Sequence, residues 1–135
     1  MTATTYECLD SGRGRKLERF GALVVDRPCP QAVWAPRAPA AAWQAADAVF
    51  ERPRTGEPRW TFRHGEPPAD WRVAVDDITL LLDPAAKGQV GVFPEQLDNW
   101  RWLRDTVAAA GRPVSVLNGF AYTGAATLFA ATAGA

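Results

Sequence analysis

A short apolar run ending in a glycine-bearing turn sets the strongest limit on the architecture of this chain. The run is Val114-Ser115-Val116-Leu117-Asn118-Gly119-Phe120-Ala121-Tyr122-Thr123-Gly124, and an alanine-rich segment over residues 125–133 follows it. The β-branched residues predict a strand, Asn118 and Gly119 a tight loop, and the alanines a helix. Strand, loop and helix in this order begin the α/β sheets that take nucleotides at the carboxyl ends of their strands. On that geometry Asn118 presents donors and an acceptor to a ligand, and Gly119 and Gly124 leave room for it to approach the backbone. The helix then aims its free N–H groups at the same crevice. The GxGxxG of dinucleotide enzymes is absent, so ordinary sheet-and-helix packing is the competing reading.

Upstream, a helix is predicted to begin at Pro94. Proline suits a first turn, Glu95 complements the helix dipole, and Gly111 followed by Pro113 supplies the stop. Leu97, Trp100, Leu103 or Arg104, and Val107 fall on one face, which should cover a sheet. Phe93, Gln96 and Asn99 lie near its beginning, facing the crevice above Asn118. The alternative places Phe93 in the core and uses Gln96 as a cap partner.

The first half reads as β-rich. Residues 6–10, 16–20 and 22–25 form short strands, with turns at Ser11-Gly12-Arg13-Gly14 and at Gly21, most economically as an antiparallel meander. The first turn carries Arg13, Arg15 and Lys16; a solvated hairpin is the favoured reading over a phosphate or RNA contact. Residues 28–46 hold four prolines among many alanines, which predicts an extended connection ending in a short helix near 42–46. Trp34 and Trp43 are expected to pack onto the sheet, with base stacking as the lesser alternative. Residues 48–50, 60–63, 71–75 and 78–83 read as further strands, Asp76-Asp77 forming a tight turn. His64 has no partner at ligand spacing, so no metal site is expected.

Composition bounds the class. The 135 residues, 47% hydrophobic and 22% charged, suit one domain or part of one. Fifteen basic and fifteen acidic side chains cancel, which counts against strong nonspecific attraction to nucleic acid. Cys8 and Cys29 lack CxxC spacing and no signal segment precedes them, so reduced thiols in a cytoplasmic protein are expected. No apolar run approaches the roughly 20 residues of a membrane helix, so no membrane span is expected.

The segment Lys87-Gly88-Gln89-Val90-Gly91-Val92-Phe93-Pro94-Glu95-Gln96-Leu97-Asp98-Asn99-Trp100, followed by the run from Val116 to Gly124, resembles the class I S-adenosylmethionine-dependent methyltransferases grouped with the bacterial large-subunit ribosomal RNA methyltransferases. There a G-x-x-G-x-F-P-E-Q type of segment precedes a V-L-N-x-F-x-Y-T-G-G motif. The opening Tyr6-Glu7-Cys8-Leu9-Asp10-Ser11-Gly12-Arg13-Gly14-Arg15-Lys16-Leu17-Glu18-Arg19-Phe20-Gly21 and the run Arg27-Pro28-Cys29-Pro30-Gln31-Ala32-Val33-Trp34 are similar to the start of one bacterial branch. The likeness thus runs nearly end to end.

This resemblance implies an α+β to α/β chain: an antiparallel β-rich region over residues 1–86 leading into the first strand, loop and helix of a Rossmann-like methyltransferase domain over 87–135, cut short at Ala135. It implies S-adenosyl-L-methionine as cofactor and RNA as a partner. Asn118, Phe120, Tyr122, Thr123 and Gly124 would surround the methionine moiety, with Phe93, Gln96 and Asn99 closing over it. Gly119 stands where the family has a bulky apolar residue, and Ala125 where it has a second glycine; both put affinity in doubt. The family's ribose and adenine acids and its D-P-P segment have no counterpart here. No residue offers a methyl-transfer base or nucleophile, and the open edge of the 114–118 strand is expected to make the chain dimerise or aggregate, or to leave its last helix poorly ordered. The competing function is a noncatalytic RNA- or protein-binding module, or an inactive fragment of a longer enzyme.

Overall fold

The computed structural model describes residues 5–84 and 88–135; Lys87, and with it the predicted boundary between residues 86 and 87, lies outside them. Three strands, β1 (Tyr6–Gly12), β2 (Arg15–Phe20) and β3 (Leu23–Pro28), form the antiparallel meander that the alternation predicts. Leu17 and Glu18, neighbours on β2, are both buried, so both faces of this strand are covered.

The connection after β3 holds a single helix, α1 (Ala40–Gln44), and returns the chain to the same edge. There β4 (Ala48–Glu51) pairs with β3 in parallel, through Val25 with Ala48 and Asp26 with Val49. Asp47 fixes the entry: its N–H donates to the Val24 carbonyl at 2.7 Å, and its carboxylate accepts from the Val24 N–H at 2.8 Å. β5 (Arg59–Phe62) adds antiparallel and completes a five-stranded sheet in sequence order. β6 (Arg72–Val75) and β7 (Ile78–Leu81) make a separate hairpin across the Asp76-Asp77 turn. It is tied to the large sheet by the Thr5 N–H on the Ala74 carbonyl (2.9 Å) and the Trp71 indole N–H on the Phe20 carbonyl (2.9 Å).

Pro94 opens a 3-10 turn that runs into α2 (Leu97–Ala108), and α3 (Ala125–Thr132) closes the fold. Trp100 and Val107 are the buried residues of α2, on the stripe read from its periodicity. Trp100 meets Phe129 of α3 with ring centroids 5.8 Å apart. Arg101 and Arg104 hold the hairpin turn, at 2.6 Å from the Asp76 carboxylate and 2.9 Å from that of Asp77. Phe20, Val25, Trp71, Val73, Leu80 and Phe129 are exposed by 2% or less within one cluster. The β-rich region and the helical segment therefore share a core.

One expectation is corrected. Residues 114–118 form no strand, and a parallel sheet beginning there is absent among the described residues. A buried parallel strand needs neighbours on both sides to take up its N–H and C=O groups. None of the described strands pairs with this segment, and Leu117 stands 95% exposed. The architecture is thus α+β over the described residues, and the strand expected at 114–118 is not among its strands. Trp34 meets the sheet only at its edge: it is 55% exposed, and its indole N–H donates to the carbonyl of Ser11 on β1 at 2.9 Å. No helix among the described residues is long and apolar enough to cross a membrane.

Candidate functional site

Three segments distant in sequence converge at the start of α3. The loop over residues 90–93 is anchored by Val90 and Val92, both buried, on either side of Gly91, whose φ of 87° is left-handed. The Thr123 hydroxyl donates to the Gly91 carbonyl at 2.9 Å, and a Cβ at Gly91 would lie 2.6 Å from Thr123 Cγ2. Close approach of the two loops therefore requires glycine there. Tyr122 at φ 49° and Gly124 at φ 85° turn the chain into α3, Gly124 occupying the position just before the helix.

Between these segments lies a hollow of about 360 Å³, lined by Gly91, Phe93, Gln96, Trp100, Asn118, Phe120, Ala121, Tyr122, Thr123, Ala125 and Ala126. Six of the eight residues singled out from the sequence are therefore together: Phe93, Gln96, Asn118, Phe120, Tyr122 and Thr123. Asn99 does not line the hollow; its amide donates to Gln96 Oε1 at 2.8 Å and so orients Gln96. Gly124 also stands outside the lining, acting through the turn it permits. Asn118 is placed by a loop instead of a strand end. Its Nδ2 donates to Thr127 Oγ1 at 3.0 Å, and its Oδ1 accepts from the Phe120 N–H at 3.3 Å.

The rings of Phe93 and Tyr122 pack at 4.6 Å between centroids, tilted by 54°. Ala125 and Ala126, at the first turn of α3, have N–H groups without helical acceptors, so the positive end of that helix opens on the hollow. Among the described residues no carboxylate lines it. Gly91, Trp100, Ala121 and Ala126 line it in addition to the residues that the sequence singles out. The legible signal for Gly91 was a glycine between two valines in an otherwise apolar stretch.

No protein-family profile and no curated relative matches the chain. Among solved structures, the crystal structure of a SAM-dependent methyltransferase from Agrobacterium tumefaciens aligns with a TM-score of 0.89 and 44% sequence identity. The alignment covers 98% of this chain and 42% of that one, so the chain spans less than half the length of the enzyme it matches. In fold and in sequence, then, nearly the whole chain is similar to a part of a SAM-dependent methyltransferase.

Proposed function

We propose that this chain is the cofactor-cradling part of an S-adenosyl-L-methionine-dependent methyltransferase that acts on RNA in the cytoplasm. The observation that carries this reading is the convergence of the 91–96 and 118–126 segments on one hollow, in a chain 44% identical to part of a SAM-dependent methyltransferase. The RNA acceptor rests on the sequence resemblance, and the compartment on two free thiols, Cys8 and Cys29.

The lining suits the cofactor. The open N–H groups at the start of α3 favour a carboxylate. The Phe93 and Tyr122 rings offer faces to a cation, and the amides of Asn118 and Gln96 serve an amino-acid group. When bound, S-adenosyl-L-methionine supplies an activated methyl group. The part of these residues is to bind and orient: Asn99 aims Gln96, and Thr127 aims Asn118. Among the described residues no carboxylate lines the hollow, and in our reading these side chains hold the cofactor without themselves moving a proton.

Titration with S-adenosylhomocysteine in a calorimeter tests the reading. Weak binding is expected, and Asn118→Ala should weaken it by roughly tenfold, the worth of a hydrogen bond or two. Absence of heat, or equal heat from the variant with an unchanged melting temperature, would overturn it.

We also propose that the exposed apolar side chains of Val116, Leu117 and Phe120, which are 40%, 95% and 83% exposed, bring two copies together. Sedimentation velocity should show a concentration-dependent dimer that Leu117→Lys shifts towards monomer. A parent chain that stays monomeric at every concentration contradicts this.

A further inference from the structure

Two more hollows meet at the β1–β2 turn, and neither shares a residue with the one described above. The first, of about 510 Å³, is lined by residues of the turn, of β2 and β3, and of α1, including Arg13, Arg15, Asp26, Trp43 and Gln44. The second, of about 600 Å³, has four arginines in its wall, Arg13, Arg15, Arg27 and Arg52, and no acidic residue. Arg13 and Arg15 belong to both and form the ridge between them.

The groups on this ridge are held firmly. Arg15 Nε lies 2.6 Å from Asp26 Oδ1, and its other nitrogen donates to the Phe50 carbonyl at 2.9 Å. The Trp43 indole N–H donates to Asp10 Oδ2 at 3.2 Å, and the same carboxylate takes the backbone N–H of Ala38 at 2.8 Å. The ring is thus a fixed wall of the first hollow. Asp26 and Glu18 are paired with Arg15 and Arg27, so these two arginines already carry acid partners and serve as fixed walls.

Arg13 is different. Its backbone is clamped, its N–H donating to the Trp34 carbonyl at 2.8 Å, and it is held at a left-handed φ of 50°. Glycine or asparagine would meet that conformation with less strain. Its exposed side chain forms no ion pair or hydrogen bond among the described residues. A strained arginine with an uncommitted guanidinium, between a flat indole wall and an arginine-walled hollow, matches the repeating unit of a nucleic acid: a planar base beside a phosphate.

We propose that the two hollows form one site for a single-stranded polynucleotide, a base resting on Trp43 and the adjoining phosphates on Arg13 and the second hollow. The site requires nothing of the cofactor hollow and stands whether or not that hollow is occupied.

Fluorescence anisotropy with a labelled 12-nucleotide single-stranded RNA, the same sequence as DNA, and an RNA duplex provides the test. Binding of either single strand more tightly than the duplex is expected, the comparison of RNA with DNA showing whether the sugar is read. Arg13→Asn should weaken binding about tenfold and lower the slope of log affinity against log salt by about one phosphate's worth. It should melt no lower than the parent, because asparagine accepts the left-handed turn, so the loss cannot come from unfolding. Trp43→Leu should weaken binding roughly tenfold while Trp43→Phe retains most of it. Undiminished binding by Arg13→Asn, equal affinity for duplex, equal competition by polyglutamate, or no binding at all would overturn the proposal. S-adenosylhomocysteine binding should be the same in Arg13→Asn as in the parent, which separates failure here from failure at the cofactor hollow.

Discussion

Gly21→Ala is expected to destabilise the chain by about 3 kcal/mol or more, against about 1 kcal/mol for Gly14→Ala. Both glycines sit in hairpin turns with left-handed φ, 61° and 74°, so alanine pays the same conformational penalty at each. They differ in what surrounds them. A Cβ on Gly14 meets nothing within 4 Å, whereas one on Gly21 falls 2.0 Å from the Arg72 carbonyl oxygen. That oxygen is backbone and cannot swing aside as the end of a side chain could. The Gly21 N–H also donates to the Thr5 carbonyl at 2.8 Å, and next to it the Phe20 carbonyl takes the Trp71 indole N–H. Gly21 is therefore the point where the five-stranded sheet touches the β6–β7 hairpin, and a methyl group there pushes apart two halves of one core. Thermal denaturation should show a fall of roughly 10 °C for Gly21→Ala and a few degrees for Gly14→Ala. Equal shifts for the two would refute the account of the seam.

Much of this arrangement is legible in the sequence because it is local. The alternation of Arg72-Val73-Ala74-Val75 and the polar pair Asp76-Asp77 specify a hairpin, and the stripe of Trp100 and Val107 specifies which face of α2 is buried. What escapes such reading depends on partners far along the chain. Nothing in residues 48–51 says that β4 lies parallel to β3, because that pairing is set by Asp47 reaching Val24. The apolar run at 114–118 spells a buried strand, yet a strand exists only where another pairs with it. The hollow near Asn118 is legible through the motif resemblance and the start of the Pro94 helix. The narrow contact of Gly91 with Thr123 could be seen only once both loops were in place. Arg13 reads as a solvated hairpin turn until its left-handed backbone and the Trp43 wall are seen together.

The same lesson explains Glu18. In Arg15-Lys16-Leu17-Glu18-Arg19 the charges suggest a solvated strand, but Glu18 is fully buried. Its carboxylate accepts from the Tyr6 hydroxyl at 2.9 Å and from Arg27 at 2.5 and 3.1 Å, and lies 3.0 Å from Lys16 Nζ. The Arg27 side chain is itself only 9% exposed and rests over the Phe20 ring at 5.3 Å. Taking the charge from Glu18 strands a buried guanidinium.

Glu18→Gln should accordingly cost about 3 kcal/mol, and the double change Glu18→Met with Arg27→Met should recover much of it by removing both charges. The pH dependence gives an independent check. Burial by itself raises the Glu18 pKa, but the hydrogen bonds and charges of Arg27 and then Lys16 outweigh it and hold the group below its ordinary value of 4.5. A carboxylate with a depressed folded pKa contributes stability above its unfolded value and loses it as pH falls through the folded one. Asp26 runs the other way: burial raises its pKa, and Arg15 only partly offsets that. The acid limb of the parent alone therefore mixes opposing contributions, whereas the difference between parent and Glu18→Gln isolates the first. That difference, from urea denaturation, should be full at neutral pH and shrink steadily below pH 4.5. A difference that stays constant down to pH 2 would mean that the loss comes from altered packing and not from the charge of Glu18.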